Sequence, residues 1–427
     1  MSIKIFKKIF TIYPLLIIVL IFSISIAVFY SNLFDNKILK KNFVEKKDIL
    51  NTINIKDNND NNNKKMEINS NQSDTYFKSD EFLDKIKGSI FGQFIGDSLA
   101  MPVHWYYDTY KLKSDFGAIK KYEAPKDTFP GSILNLSNTD GPGRGSDKGN
   151  LIGEVILHGK KKFWARGKSY HYHHGMKAGE NTLDNLITRV LYRNLIANKS
   201  FNSKSFVEDY VKFMTTPDTH NDVYASTSIR IFFKNYSLGK SLDKCPGNDG
   251  HNTDAIDSLI VITPVILSNL FSDEKKRNKE IEESIMCTRL AEDTVKYAFL
   301  FSDMMLSVLK KEDSLRNIIQ KTGLKLGYDI EKEAERIKNK PDPMTACYID
   351  SSFPVLLIYA YKYADDPEKM LLASANGGGE NVGRGSLLGA LAGAEFGFSK
   401  FPQNLVDDLV DKNAILNEIK DFTDTFI

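Results

Sequence analysis

The stretch GGGENVGRGSLLGALAGAEFG, Gly377 to Gly397, decides how the chain is read. Gly385, Gly389, Gly393 and Gly397 recur every fourth residue, so a helix here presents one stripe of bare backbone. A glycine inside a helix costs about 1 kcal/mol relative to alanine, and a repeated stripe therefore predicts a second helix packed close enough to offset that loss. A membrane dimerisation face is excluded by length. Glu380 and Arg384 precede a run of only about ten apolar or small residues, and a span needs about 20.

The expected partner is EFLDKIKGSIFGQFIGDSLA, residues 81–100, where Gly88, Gly92 and Gly96 repeat the spacing and Phe82, Ile86, Ile90 and Phe94 form an apolar stripe. Antiparallel packing of the two stripes would bring the end of the first helix to the start of the second, placing Asp97 and His104 near Glu380. A helix start also offers free N–H groups and a positive dipole end to an anion. Arg384 could add a bidentate guanidinium there, or instead form a salt bridge to Glu380 or Glu180.

Helical periodicity dominates the rest of the body. Helices are expected over Asn181–Ile196, Ser205–Met214, Val223–Phe233, Ala255–Leu267, Ser284–Leu309, Ile330–Ile337, Tyr348–Tyr363, Pro367–Ala375 and Asn404–Ile419, and strand-like alternation is scarce. Phe116–Lys148 reads as a long Gly/Pro/Asn/Ser loop. The expected fold class is an all-α multi-helix bundle.

The 427 residues carry 57 Lys and Arg against 55 Asp and Glu, a net charge of +2, so there is no basic field of the kind that marks a nucleic-acid binder. Cys245, Cys287 and Cys347 are odd in number and far apart, which suits core thiols better than a disulfide framework or a metal knuckle. Residues 1–8 form a short tail. The uncharged apolar run 9–30 is long enough to be a transmembrane or signal-anchor helix, which predicts a single-pass membrane protein of the secretory pathway or another membrane-bounded compartment. Lysines flank the run on both sides, so orientation is left open. Residues 31–79, rich in Asn, Asp and Lys, read as an unfolded tether, and residues 80–427 as one domain.

Two further polar clusters precede expected helices. SYHYHHGMKAGENTLDN, residues 169–185, gathers His171, His173, His174, Glu180, Asn181, Thr182 and Asp184. Its HxHH pattern lacks the Cys or HExxH partners of a zinc site, and Glu180 and Asn181 could simply cap a helix. CPGNDGHNTDAIDS, residues 245–258, brings Asp249, His251, Asn252, Asp254 and Asp257 to another helix start. Four acid-containing clusters at helix ends exceed what capping needs.

These residues resemble the ADP-ribosylglycohydrolase family. GSIFGQFIGDSLAMPVHW looks like its N-terminal signature, MKAGENTLDN sits where that family has Thr-Asp-Asp-Thr, and ANGGGENVGRGSLLGALAGA sits where it has Gly-Gly-Asp-x-Asp-Thr before a small-residue helix. The forms GENT, GGENVGRG and GDSLAMPVHW are closer to a crystallin-J-type branch. The resemblance implies an orthogonal helix bundle with two Mg2+ ions in a central cleft, acting on small-molecule or protein-linked ADP-ribose. For a hydrolase on this scaffold, Asp97, Glu180, Asp184 and Glu380 become the candidate acids and bases. His104, Asn181, Thr182, Gly378, Gly379, Asn381 and Arg384 become candidate substrate contacts, and Glu180, Asn181 and Glu380 a reduced metal set. The pattern is broken at the metal positions: His104 replaces a carboxylate, Gly179, Glu180, Asn181 and Thr182 replace Thr-Asp-Asp-Thr, and Val382 and Gly383 replace Asp-Thr. Valine offers no ligand and histidine prefers transition metals, so the two-magnesium site is expected to be lost. Two functions stay open at this level, a glycosidic-bond hydrolase and a non-catalytic binding or structural protein on the same scaffold.

Overall fold

A computed structural model describes residues 75–132, 134, 150–165 and 168–427. The expected anchor over 9–30, almost all of the tether and residues 133 and 135–148 of the expected loop lie outside these residues. No helix among the described residues is long and apolar enough to cross a membrane.

The described body is helical, with isolated bridges in place of strands. Helix α1, Asp80–Ala100, opens on Ser79, whose hydroxyl caps the Phe82 N–H at 3.2 Å, and is buried on nearly every face. The chain continues through α2 (Thr109–Phe116), α3 (Leu183–Asn198), α4 (Ser203–Thr215), α5 (Thr227–Ser237), α6 (Ile262–Ser268), α7 (Glu274–Met286), α8 (Glu292–Leu309), α9 (Leu315–Lys325), α10 (Ile330–Arg336), α11 (Ile349–Lys362), α12 (Pro367–Asn376), α13 (Asn381–Phe396), α14 (Gln403–Asp407) and α15 (Lys412–Phe426).

The two glycine stripes meet as the sequence predicts. α1 and α13 run antiparallel at the centre of the bundle, with Gly88 against Gly393, Gly92 against Gly389 and Gly96 against Gly385. A Cβ on any of these residues would fall well inside van der Waals contact of a facing backbone atom. Such proximity fixes the register of the pair, because only backbone fits at the crossing.

Several sequence expectations are corrected. The tether ends earlier than 79, since Tyr76 and Phe77 pack edge-on against Phe82 and the Tyr76 hydroxyl donates to the Leu309 carbonyl at 2.9 Å. The expected helix over 404–419 is two, α14 and α15, separated by a turn at which Asp411 has φ 63°. The expected helix over 284–309 also breaks, between Met286 and Glu292, where the Leu290 N–H donates to the Gly247 carbonyl at 3.2 Å. That break matters for the site.

Candidate active site

The last of the three opening glycines builds one wall. Gly378 and Gly379 adopt φ 64° and 65°, a region that disfavours side chains, and each sits flush on backbone, Gly378 on the Tyr106 carbonyl and Gly379 on the Thr345 carbonyl. Two backbone hydrogen bonds, Trp105 N–H to Gly379 O and Gly379 N–H to Tyr106 O, both 2.9 Å, clasp this loop to the segment after α1. Both glycines therefore position the loop and are covered by protein. The clasp sets Glu380 at the start of α13, where its Oε1 accepts from the Gly383 N–H at 2.9 Å and its Oε2 meets His104 Nε2 at 3.0 Å.

A buried row of hydrogen bonds continues from there. His104 Nδ1 lies 2.8 Å from His173 Nε2, and His173 Nδ1 lies 2.9 Å from Asp222 Oδ1. Asp222 also accepts from the Leu183 N–H at 2.9 Å, tying the row to the start of α3. Three hydrogen bonds in series need three protons, while two neutral imidazoles bring two. The third proton is shared along a row that ends on a carboxyl group at either side. Burial pushes both carboxylates upward, but His104 and the Gly383 N–H hold Glu380 below its ordinary range, and His173 with two backbone N–H groups does the same for Asp222.

The cleft itself, a cavity of about 60 Å³, is lined by Glu380, His104, Trp105, Asp184, Asp257 and Asn252, with Cys347 and Tyr224 beside them. It has room for a few water-sized groups and so accepts the reacting end of a ligand. Trp105 is held at φ 60° and stacks on the His104 ring with centroids 3.8 Å apart, a strained backbone position of the kind found at binding sites. Asp184 behaves oppositely to Glu380. Burial and the neighbouring Asp257 raise its carboxyl well above the ordinary range, only partly offset by Arg289.

Other predicted residues are placed elsewhere. Asp97 is fully buried, accepting from Thr182 N–H and Asn181 Nδ2 at 2.8 Å each and from Thr182 Oγ1 at 2.6 Å, so it ties α1 to the start of α3 and lines neither cavity described here. Thr182 is spent on that tie. Asn381 donates to the Val103 and Ala375 carbonyls. Glu180 accepts from Lys177 N–H and Asn221 Nδ2, and with Asn181 lines a separate hollow beside Arg189 and His220. The set Glu180, Asn181 and Glu380 therefore does not converge. α3 begins only at Leu183, and the helix turn carries Asp184 into the cleft while the two preceding residues face away.

Arg384 forms neither of the expected salt bridges. Its Nε donates to Ser374 Oγ at 3.0 Å, its Nη2 to the Ser374 and Gly378 carbonyls at 2.8 and 2.9 Å, and the guanidinium lies over the Tyr359 ring. It caps the end of α12 and fastens the glycine loop. Of the cysteines, Cys245 is a core thiol as expected, whereas Cys347 faces the cleft.

Sequence reasoning missed Asp222 and Arg289. Asp222 gave no periodic signal in its loop, and Arg289 was read into an unbroken helix. It lies in the break between α7 and α8, 8% exposed, with Nη1 2.8 Å from Asp257 Oδ2.

The donor set does not fit two magnesium ions. Both Glu380 oxygens and one Asp257 oxygen already accept hydrogen bonds from the protein, and Val382 has no donor. A side chain at Gly383 would press on Asp257 N and Glu380 Oε1, each 3.2 Å from its Cβ position. No cluster of three or more His, Cys, Asp or Glu among the described residues is arranged to hold a metal.

Burial of histidine in this region has a pH consequence. His220, at the edge of the Glu180 hollow, is lowered by burial to about 4, and burial lowers His171 as well. An unfolded histidine binds its proton near 6.5. The native state does so only near 4, so the contribution is whole above about 6.5 and is lost as pH falls toward 4. His220 alone should cost about 3 kcal/mol of stability across that window. Urea denaturation at stepped pH should show this slope, and His220→Asn should flatten it.

An all-helical bundle with oppositely tuned carboxyl groups in one cleft is the arrangement of a glycosidic-bond hydrolase. Residues 78–426 match the family model described as ADP-ribosylglycohydrolase, and the chain belongs to that family. Among solved structures, a chain described as "ADP-ribosylglycohydrolase-related protein complex" is similar with a TM-score of 0.51 at 15% identity, covering 82% of this chain and 100% of its own. That likeness speaks to the fold. No curated protein matches.

Proposed function

We propose that this protein hydrolyses an ADP-ribosyl, or closely related ribosyl, glycosidic bond, with Asp184 as general acid and Glu380 as its ionised counterpart. The observation that carries the reading is the placement of these two carboxyl groups on one cavity in opposing surroundings, burial and Asp257 pushing Asp184 up while His104 and the Gly383 N–H hold Glu380 down. Paired groups whose surroundings push them apart divide acid from base work. Asp184 gives its proton to the leaving atom as the bond to the anomeric carbon breaks. Glu380 stabilises the oxocarbenium-like charge that develops. Water then bonds to the anomeric carbon and its proton passes to the carboxylates, restoring Asp184. His104 and the Gly383 N–H keep Glu380 aimed and charged, and Trp105 and Asn252 contact the sugar. No step is routed through an ion, in keeping with a donor set that does not fit the two-magnesium arrangement.

The full-length protein should release ADP-ribose from ADP-ribosylated serine, arginine or acetyl-ester substrates in the presence of EDTA. Neither release nor a thermal shift by ADP-ribose, with or without magnesium or manganese, would remove this reading and leave the non-catalytic role that the crystallin-J-type motif forms suggest. The apolar sequence of 9–30 supports a membrane anchor for the domain. Retention of the protein in the pellet after alkaline carbonate extraction is the expected result, and quantitative release would discount it.

A further inference from the structure

We propose that Arg289 is a built-in cation that takes the electrostatic place of a divalent ion in this cleft. The break between α7 and α8 turns its side chain inward, and its guanidinium pairs with Asp257 at 2.8 Å. Arg289, Asp184 and Asp257 together line an inner cavity of about 20 Å³, large enough for one water. Asp184 and Asp257 also line the larger cleft, so the two cavities share these carboxyl groups, while Arg289 lines only the smaller one.

A carboxylate buried beside a second carboxyl group needs a compensating charge. An oxygen-seeking divalent ion could supply it, and here the chain supplies it covalently. Arg384 lines neither cavity, and its Nε and Nη2 are held by Ser374 and Gly378. Ser258 Oγ, buried and without a partner, also lines the inner cavity. Removal of the guanidinium would leave Asp184, Asp257 and this hydroxyl around enlarged space, a set of hard oxygen donors that a small divalent ion can use.

The test uses the full-length protein in calorimetric titrations with MnCl2 and MgCl2 and in thermal denaturation with and without each salt, and it does not depend on hydrolysis. Wild type should show no saturable binding. Arg289→Gln should lose about 5 °C in Tm, the scale for breaking a buried pair in a domain of this size. Millimolar Mg2+ or Mn2+ should restore much of that loss, and Arg289→Gln/Asp257→Asn should show no restoration. Arg289→Lys keeps a cation and should stay unresponsive to metal. If Arg289→Gln does not fold, silence of both wild type and Arg289→Lys toward Mn2+ supports the proposal. Saturable Mn2+ binding by wild type that Asp257→Asn abolishes would overturn it, as would a folded Arg289→Gln with no response to either ion. Failure of the hydrolysis assay leaves this result unaffected, so the two readings can fall separately.

Discussion

Gly389→Ala should cost about 3–5 kcal/mol of folding stability, enough to leave a domain of ordinary stability largely unfolded on mild heating. The direction runs against intrinsic propensity, since alanine in a helix interior is normally better than glycine by about 1 kcal/mol. Here the new methyl group would fall on the Gly92 carbonyl, and Gly389 in turn is what allows Gly92 to approach. Neither neighbour is a flexible side chain. Relief requires α1 and α13 to separate along their shared length, which would loosen Leu387, Leu391 and the rest of the core they carry. Gly117→Ala is the control: its φ of 68° and ψ of −139° disfavour alanine, but nothing lies within 4 Å of the added Cβ, so the loss should stay at about 1–3 kcal/mol. Urea denaturation of both variants decides the matter, and a Gly389→Ala protein as stable as wild type would mean that the helices do not touch through backbone.

Asp184→Asn should lower kcat on an ADP-ribosyl substrate by about 10²–10⁴-fold, the usual worth of a positioned proton donor, while leaving Tm near that of wild type. Asparagine keeps the volume and removes the acidic proton. The pH profile adds a second readout. Activity needs Glu380 ionised and Asp184 protonated, so wild type should lose activity on the acid side as Glu380 gains a proton and on the alkaline side as Asp184 gives its proton up. Asp184→Asn should lose the alkaline limb. Glu380→Gln, by contrast, should reduce both activity and stability, because it also breaks the hydrogen bond to His104 and weakens the cap on α13. An Asp184→Asn enzyme within twofold of wild type would remove Asp184 from the chemistry.

Part of the site was legible before any coordinates. The glycine spacing at 88, 92 and 96 and at 385, 389 and 393 predicts the central antiparallel pair, and that pair alone is enough to bring His104 to Glu380. Asp184 is legible for a different reason, standing in a polar cluster at the start of a periodic helix. Residues whose direction depends on where a helix begins were not legible. Each residue turns a helix by about 100°, so a start at Leu183 separates Asp184 from Glu180 and Asn181, which sit only four and three positions earlier. Arg384 shows the same limit. Its type and position suit an anion site, yet carbonyls at the end of α12 lie closer and take its donors.

The sequence by itself determined the helical class, the family resemblance and the pairing of α1 with α13, because periodicity and small-residue spacing are local properties that each carry their own packing consequence. Tertiary structure decided which polar groups meet. Asp222 reaches His173 across 49 positions and Arg289 reaches Asp257 across 32, through a loop and a helix break that no period announces. Buried charges choose partners by distance and desolvation, and both exist only once the chain has closed around them.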